Sequence, residues 1–118
     1  MAEAAKITSQ AELDHAFRES AERPVVIFKH SLICPVSTAG LNEYVDFLGQ
    51  QDSGRALFTL IEIQNARDVS NAVAEATGVQ HESPQALVLH GGKAVWHASH
   101  WDISAQSLTS ALEGAETA

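Results

Sequence analysis

Between Pro24 and His30 the chain reads PVVIFKH, with the four residues Val25 to Phe28 apolar without a break. Three of those four are β-branched, the run is too short for a helix, and no polar residue alternates within it. Such a stretch is a strand covered on both faces, as at the centre of an α/β sheet. The rest of the chain has to supply two covering layers.

Helical periods flank it. Ser9 followed by Glu12 has the spacing of a capping box, and Leu13 and Phe17 continue a helix over residues 9–21, which Pro24 ends. From Pro35 to about Leu48, the residues Leu41, Tyr44, Val45 and Leu48 recur at spacings of three and four. A polar turn over residues 49–54 leads into LFTLIEI (57–63), a second strand. Asp68 is placed to cap a third helix through Val69, Val73 and Ala76, which Gly78 stops. QALVLH (85–90), Gly91-Gly92 and KAVWHA (93–98) read as a hairpin, and Ser104 opens a last helix through Leu108 and Leu112.

The order is α-β-α-β-α-β-β-α. The first two strands, joined by a helix, are expected to be parallel with a right-handed crossover, and the final hairpin antiparallel. The result is a mixed four-stranded sheet with helices on both faces, the thioredoxin-like arrangement of the α/β class. A ferredoxin-like arrangement also mixes the two element types. SLICPVS (31–37), falling where the first strand ends and the next helix begins, favours the thioredoxin-like one. With 118 residues and no linker or repeat, one domain over 1–118 is expected, its EGAETA tail fraying from about residue 114.

Charge and cysteine content exclude other classes. Seven Lys and Arg against fifteen Asp and Glu leave −8 at neutral pH, which is wrong for a nucleic-acid partner. One cysteine admits no internal disulfide framework. MAEAAKITSQ has no apolar signal core, and no stretch reaches the ~18 apolar residues of a membrane span. A cytoplasmic protein with no membrane partner is expected.

That cysteine, Cys34, falls at the strand-to-helix corner. The first N–H groups of a helix lack intrahelical partners, and the macrodipole adds partial positive charge there. Pro35 costs nothing at the first helical position, where its missing N–H would be unpaired anyway. Helix-terminal thiols can fall from ~8.5 into a range of ~3.5–7.5. Lys29 and His30, just upstream, could add positive potential, although a strand-end lysine is more often solvated. Free cysteines are often inert core residues, but this corner is not where one is expected, so the reactive reading is preferred. Pro84, at the start of the third strand, is the second clue. Only ~5–6% of X–Pro bonds are cis. In the thioredoxin-like fold, however, a cis proline here faces the cysteine, leaving the Ser83 backbone to pair with a substrate strand.

FKHSLICPVS, followed by GVQHESPQALVLHGGKAVWHASHWDIS, resembles the YtxJ-like family, the monothiol bacilliredoxins. The likeness runs from Phe28 to Leu108 and rests on the Cys-Pro-x-Ser corner together with the HESPQA…VWHASHW segment. Ile33 departs from the polar residue expected before the cysteine. The resemblance implies a thioredoxin-like fold and removal of bacillithiol, a low-molecular-weight thiol, from oxidised proteins. Bacillithiol is then a co-substrate, no cofactor is bound, and the partners are bacillithiolated proteins. Cys34 would attack the bacillithiol sulfur of a mixed disulfide. With Ser37 in the place of a resolving cysteine, a second thiol or another redox protein must reset the enzyme. Ser37 either donates a hydrogen bond to the thiolate or is a neutral cap residue.

The expected substrate-binding residues are Lys29, Pro35, Ser83, Pro84, Trp96 and His100. Trp96 and Trp101 could wall a pocket or stack on a sugar-containing thiol, but at least one is expected to fill the core between hairpin and last helix. His97 and His100 have no cysteine or acidic pair to complete a zinc site, so no metal is expected. His81, Glu82 and Gln85 flank Pro84 and either line the groove or form a solvated loop. Two other functions remain open. One is a non-catalytic adaptor with an idle Cys34. The other is an iron–sulfur carrier of the monothiol glutaredoxin kind, whose Cys-Gly-Phe-Ser glycine is replaced here by the stiffer Pro35.

Overall fold

The computed structural model describes residues 2–116. Its elements, in chain order, are β1 (Ala5–Lys6), α1 (Gln10–Glu19), β2 (Val25–His30), α2 (Pro35–Gly49), β3 (Leu57–Glu62), α3 (Arg67–Thr77), β4 (Gln85–His90), β5 (Lys93–Ser99) and α4 (Ala105–Glu116). Short 3-10 turns lie at Ile63–Asn65 and His100–Asp102.

The sheet has five strands, in the order β1-β3-β2-β4-β5, where the sequence predicts four. The additional β1 is two residues long and pairs with β3 in parallel at Thr59 and Leu60. β2 runs parallel to β3 and antiparallel to β4, so Phe28 stands between Leu60 and Ala86. The hairpin turns through Gly91 and Gly92 at φ 64° and 80°, values that glycine adopts without a Cβ clash. The Ser20 carbonyl and hydroxyl accept the N–H groups of Gly91 and Gly92 at 2.7 and 2.9 Å, tying the turn to the end of α1.

Every residue of β2 is buried, as its unbroken apolar run requires. Alternate residues serve opposite layers. Val26 and Phe28 pack with Tyr44 and Phe47 of α2 and Leu108 and Leu112 of α4. Val25 and Ile27 pack with Leu13 of α1 and Val69 and Val73 of α3. On the α2 side Phe28, Tyr44, Phe47 and Phe58 form a chain of rings with centroids 5.1, 6.1 and 5.8 Å apart. Tyr44 donates its buried hydroxyl to the Thr59 carbonyl at 2.8 Å, so burial of that polar group is compensated.

Ser9 caps α1 as its spacing from Glu12 predicts, its Oγ accepting the Glu12 N–H at 3.2 Å. The Glu12 carboxylate accepts chiefly from the Thr8 N–H and hydroxyl, at 2.9 and 2.7 Å, with a smaller contribution from the Ser9 backbone. Two local expectations are corrected. Ala66, not Asp68, is the cap of α3, and the Asp68 carboxylate receives only the adjacent Val69 N–H, because the 3-10 turn delivers the chain to the helix two residues early. The tail does not fray from residue 114. α4 continues to Glu116, whose carboxylate takes a two-pronged hydrogen bond from Arg55 at 2.9 and 2.7 Å. The rest of the expected fray, 117–118, lies outside the described residues. Among the described residues no helix is long and apolar enough to cross a membrane.

Candidate active site

Cys34 is the N-cap of α2, with φ −106° and ψ 120°, and Pro35 follows inside the first turn. The extended cap conformation ends the short loop, residues 31–33, that follows β2, and the Thr38 N–H closes the first helical bond on the Cys34 carbonyl at 3.1 Å. The Cys34 side chain makes no cap hydrogen bond and is partly exposed. A charge on Sγ at this position faces the unpaired N–H groups and positive dipole end of a fifteen-residue helix.

The corner is clamped from two sides. Ser37, fully buried one turn into α2, accepts the Ser31 N–H at 2.8 Å and lies 2.8 Å from Nδ1 of His30. Gln64, from the Ile63–Asn65 turn, accepts the Leu32 N–H at 2.9 Å and donates to Ser31 Oγ at 3.0 Å. The Ser37 hydroxyl thus meets His30 and Ser31. Burial pushes the His30 imidazole below its usual range, against opposing pulls from Glu62 and from a hydrogen bond at Ser37.

The Ser83–Pro84 bond is cis. Pro84 is buried beside Gly40, where a Cβ would stand 3.4 Å from Pro84 Cγ and 3.3 Å from Phe28 Cζ. A glycine in α2 therefore lets the helix start sit close to Pro84. The Pro84 carbonyl accepts the N–H of His100, which holds a left-handed φ of 54°. His100 and the exposed Trp101 then line a shallow cavity of about 240 Å³ with Ala39, Gly40 and Glu43. Pro35, Pro84 and His100 are thus assembled at the same end of the sheet as Cys34, and Ser83 precedes Pro84 at that edge.

Lys29 and Trp96 are placed elsewhere. Lys29 is not solvated: it is fully buried, alternates onto the α1/α3 side with Ile27, and meets Nδ1 of His81 at 3.2 Å. Burial pulls its ammonium down to about 8. Trp96 lies opposite Val88, which lies opposite Val26, so it sits mid-sheet rather than at the Cys34 end. It packs against the α2/α4 core and floors a hollow with Ala111 and Ala115 of α4, while Trp101 is 75% exposed. Of the pair, only Trp96 fills the space between hairpin and last helix. His97 is exposed, and among the described residues no group of three or more His, Cys, Asp or Glu could hold a metal.

Sequence reasoning missed the roles of His30 and Gln64. His30 carries a signal, since it is the last residue of a buried strand and must find a polar partner. Gln64 carries none, because it reaches the corner from 33 residues away.

Comparison with known proteins fits this geometry. A proposed oxidoreductase with a thioredoxin fold has 33% sequence identity and a TM-score of 0.82, with 92% of each chain covered. Thioredoxin of Malassezia sympodialis superposes with a TM-score of 0.75 at 12% identity over 98% of this chain and 92% of its own. Chloroplastic thioredoxin z has a TM-score of 0.75 at 17% identity over 100% and 98%. The two thioredoxins speak for the fold alone. Residues 5–108 match the family model of monothiol bacilliredoxin BrxC. The fold is thioredoxin-like, the role is in thiol redox chemistry, and the chain belongs to the monothiol bacilliredoxin BrxC family.

Proposed function

We propose that the protein removes bacillithiol from protein mixed disulfides by single-cysteine exchange at Cys34. The observation that carries this reading is the Cys34–Ser37 corner: a lone, partly exposed thiol caps α2, and the position of a resolving cysteine holds a buried serine occupied by His30 and Ser31. The Cys34 thiolate attacks the bacillithiol sulfur of a protein–S–S–bacillithiol bond. That bond breaks, its electron pair leaves on the target's sulfur, and the target thiolate takes a proton from water. A new disulfide joins Cys34 to bacillithiol.

Ser37 cannot expel the adduct, so a second low-molecular-weight thiol or another redox protein attacks the bacillithiol sulfur and returns Cys34 as thiolate. Pro84, with the Ser83 backbone beside it, borders the groove for the target strand, and His100 borders the cavity next to it. Pro35 keeps the helix start rigid under Cys34. No bound cofactor is required, bacillithiol serves as co-substrate, and the cytoplasm is the setting in which a lone thiol stays reduced.

The test compares one target protein carrying bacillithiol or glutathione on the same cysteine. Its free thiol should return with this protein and a reducing thiol present, faster from the bacillithiol form. No return from either form would leave Cys34 idle and favour an adaptor. Equal rates would refute bacillithiol as the preferred thiol.

A further inference from the structure

We propose that His30 is a positioning residue: its Nδ1 takes the hydroxyl proton of Ser37, withholding that proton from Cys34 and so setting the reactivity of the thiol. The inference rests on Cys34 being the exchanging thiol. A serine hydroxyl has one proton to donate and two lone pairs. The Ser31 N–H occupies one lone pair of Ser37 at 2.8 Å, and His30 Nδ1 stands 2.8 Å away. Ser37 is fully buried and His30 is 7% exposed, so water is not an alternative partner for the hydroxyl. Cys34 and Ser37 are the cap and third residue of α2, three positions apart and thus neighbours on one side of the helix.

Two hydrogen-bond arrangements share these positions. If Nδ1 is unprotonated, Ser37 donates to it and offers Cys34 only a lone pair. If Nδ1 carries a proton, Ser37 receives two donors and its own proton is free to point at Sγ. The first arrangement forms an unbroken run, Ser31 N–H to Ser37 O–H to His30 Nδ1, in which each bond polarises the next. In the second both lone pairs of the oxygen are filled, and among the described residues its proton is left without any of the partners the structure shows for it. Burial of the ring, the largest influence on it, favours the neutral imidazole, although Glu62, its neighbour in β3, and a hydrogen bond at Ser37 pull the other way.

The proton is therefore parked on the side of Ser37 away from the thiol, and removing the ring nitrogen releases it. The experiment measures the pH profile of Cys34 alkylation by iodoacetamide. His30→Phe keeps a ring stacked on Phe28 but has no acceptor. Its midpoint should fall by about one pH unit, roughly tenfold more thiolate on the acid side, as expected for one new hydrogen bond to a charged group. His30→Asn, whose Oδ1 stands where Nδ1 did, should restore the wild-type profile. Ser37→Ala added to His30→Phe should abolish the shift.

An unchanged midpoint in His30→Phe, or a shift that survives Ser37→Ala, overturns the proposal. Should His30→Phe fail to fold, the nitrogen shifts of the wild-type imidazole decide instead: an unprotonated Nδ1 at neutral pH is expected, and a protonated one refutes it. Neither readout involves bacillithiol, so failure here and failure of bacillithiol transfer are separate results.

Discussion

Lys29 Nζ lies 3.2 Å from Nδ1 of His81, inside the α1/α3 layer and one strand position from His30. An ammonium can only donate, so Nδ1 accepts and the imidazole is neutral. Ser70 Oγ of α3 approaches the same nitrogen at 3.4 Å. Among the described residues no carboxylate makes a salt bridge to Lys29. Burial lowers both groups, Lys29 to about 8, and the Lys29 charge lowers His81 further.

This pair makes stability depend on pH with a definite sign. Between about 8 and 10.5 the unfolded chain keeps the Lys29 proton while the folded chain loses it. The unfolded state then binds more protons, so stability rises with pH across that window. Below it both states are charged and the cost of burial is complete. Lys29→Met should be more stable than wild type at pH 7 by about 1–3 kcal/mol. Urea denaturation at pH 7 and pH 10 should show that advantage shrinking. A constant difference would mean that Lys29 is not the source.

Gln64→Ala should free the Ser31–Leu32 segment, since both of its hydrogen bonds to the corner are lost. The expected cost is about 1–2 kcal/mol, because the turn is partly exposed and water replaces some of what is removed. Hydrogen exchange at the Leu32 amide should accelerate along with it. Protection at wild-type level would show that the backbone holds itself.

Gly40 and Gly49 lie in the same helix and should respond oppositely. A side chain at Gly40 meets the buried Phe28 and Pro84 rings at 3.3–3.4 Å, and neither can retreat. Gly40→Val should therefore lose about 1–3 kcal/mol and push Pro84 from the helix start, slowing exchange at Cys34. Nothing lies within 4 Å of a Cβ at Gly49, so Gly49→Ala should be neutral or gain up to ~1 kcal/mol. Melting curves of both variants test the contrast, and a loss at Gly49 would contradict it.

Most of the fold is readable in the sequence because its central strands, β2 and β4, are buried on both faces and its helices on one. VVIF leaves no other assignment, and Gly78 and the Gly91-Gly92 pair stand where left-handed φ is required. β1 is not readable: two exposed residues joined through their backbone leave no side-chain period. Cys34, Ser37 and Pro84 are readable because each departs from what its position would otherwise carry. Lys29 misleads for the opposite reason. Its residue type suggests solvent, but period-two alternation from Val25 and Ile27 places it inward, and alternation wins because β2 has no exposed face. Trp96 obeys the same rule. Contacts such as Gln64 to Leu32 join distant segments through a side chain and one amide, and no local spacing records them.

Intact mass tests most directly whether Cys34 itself receives the bacillithiol. The protein is mixed with a bacillithiol-modified target without any reducing thiol, beside Cys34→Ala. Wild type should gain the mass of one bacillithiol as the target loses it, and Cys34→Ala should gain nothing. A target that keeps its adduct, or an adduct on the alanine variant, would contradict the account.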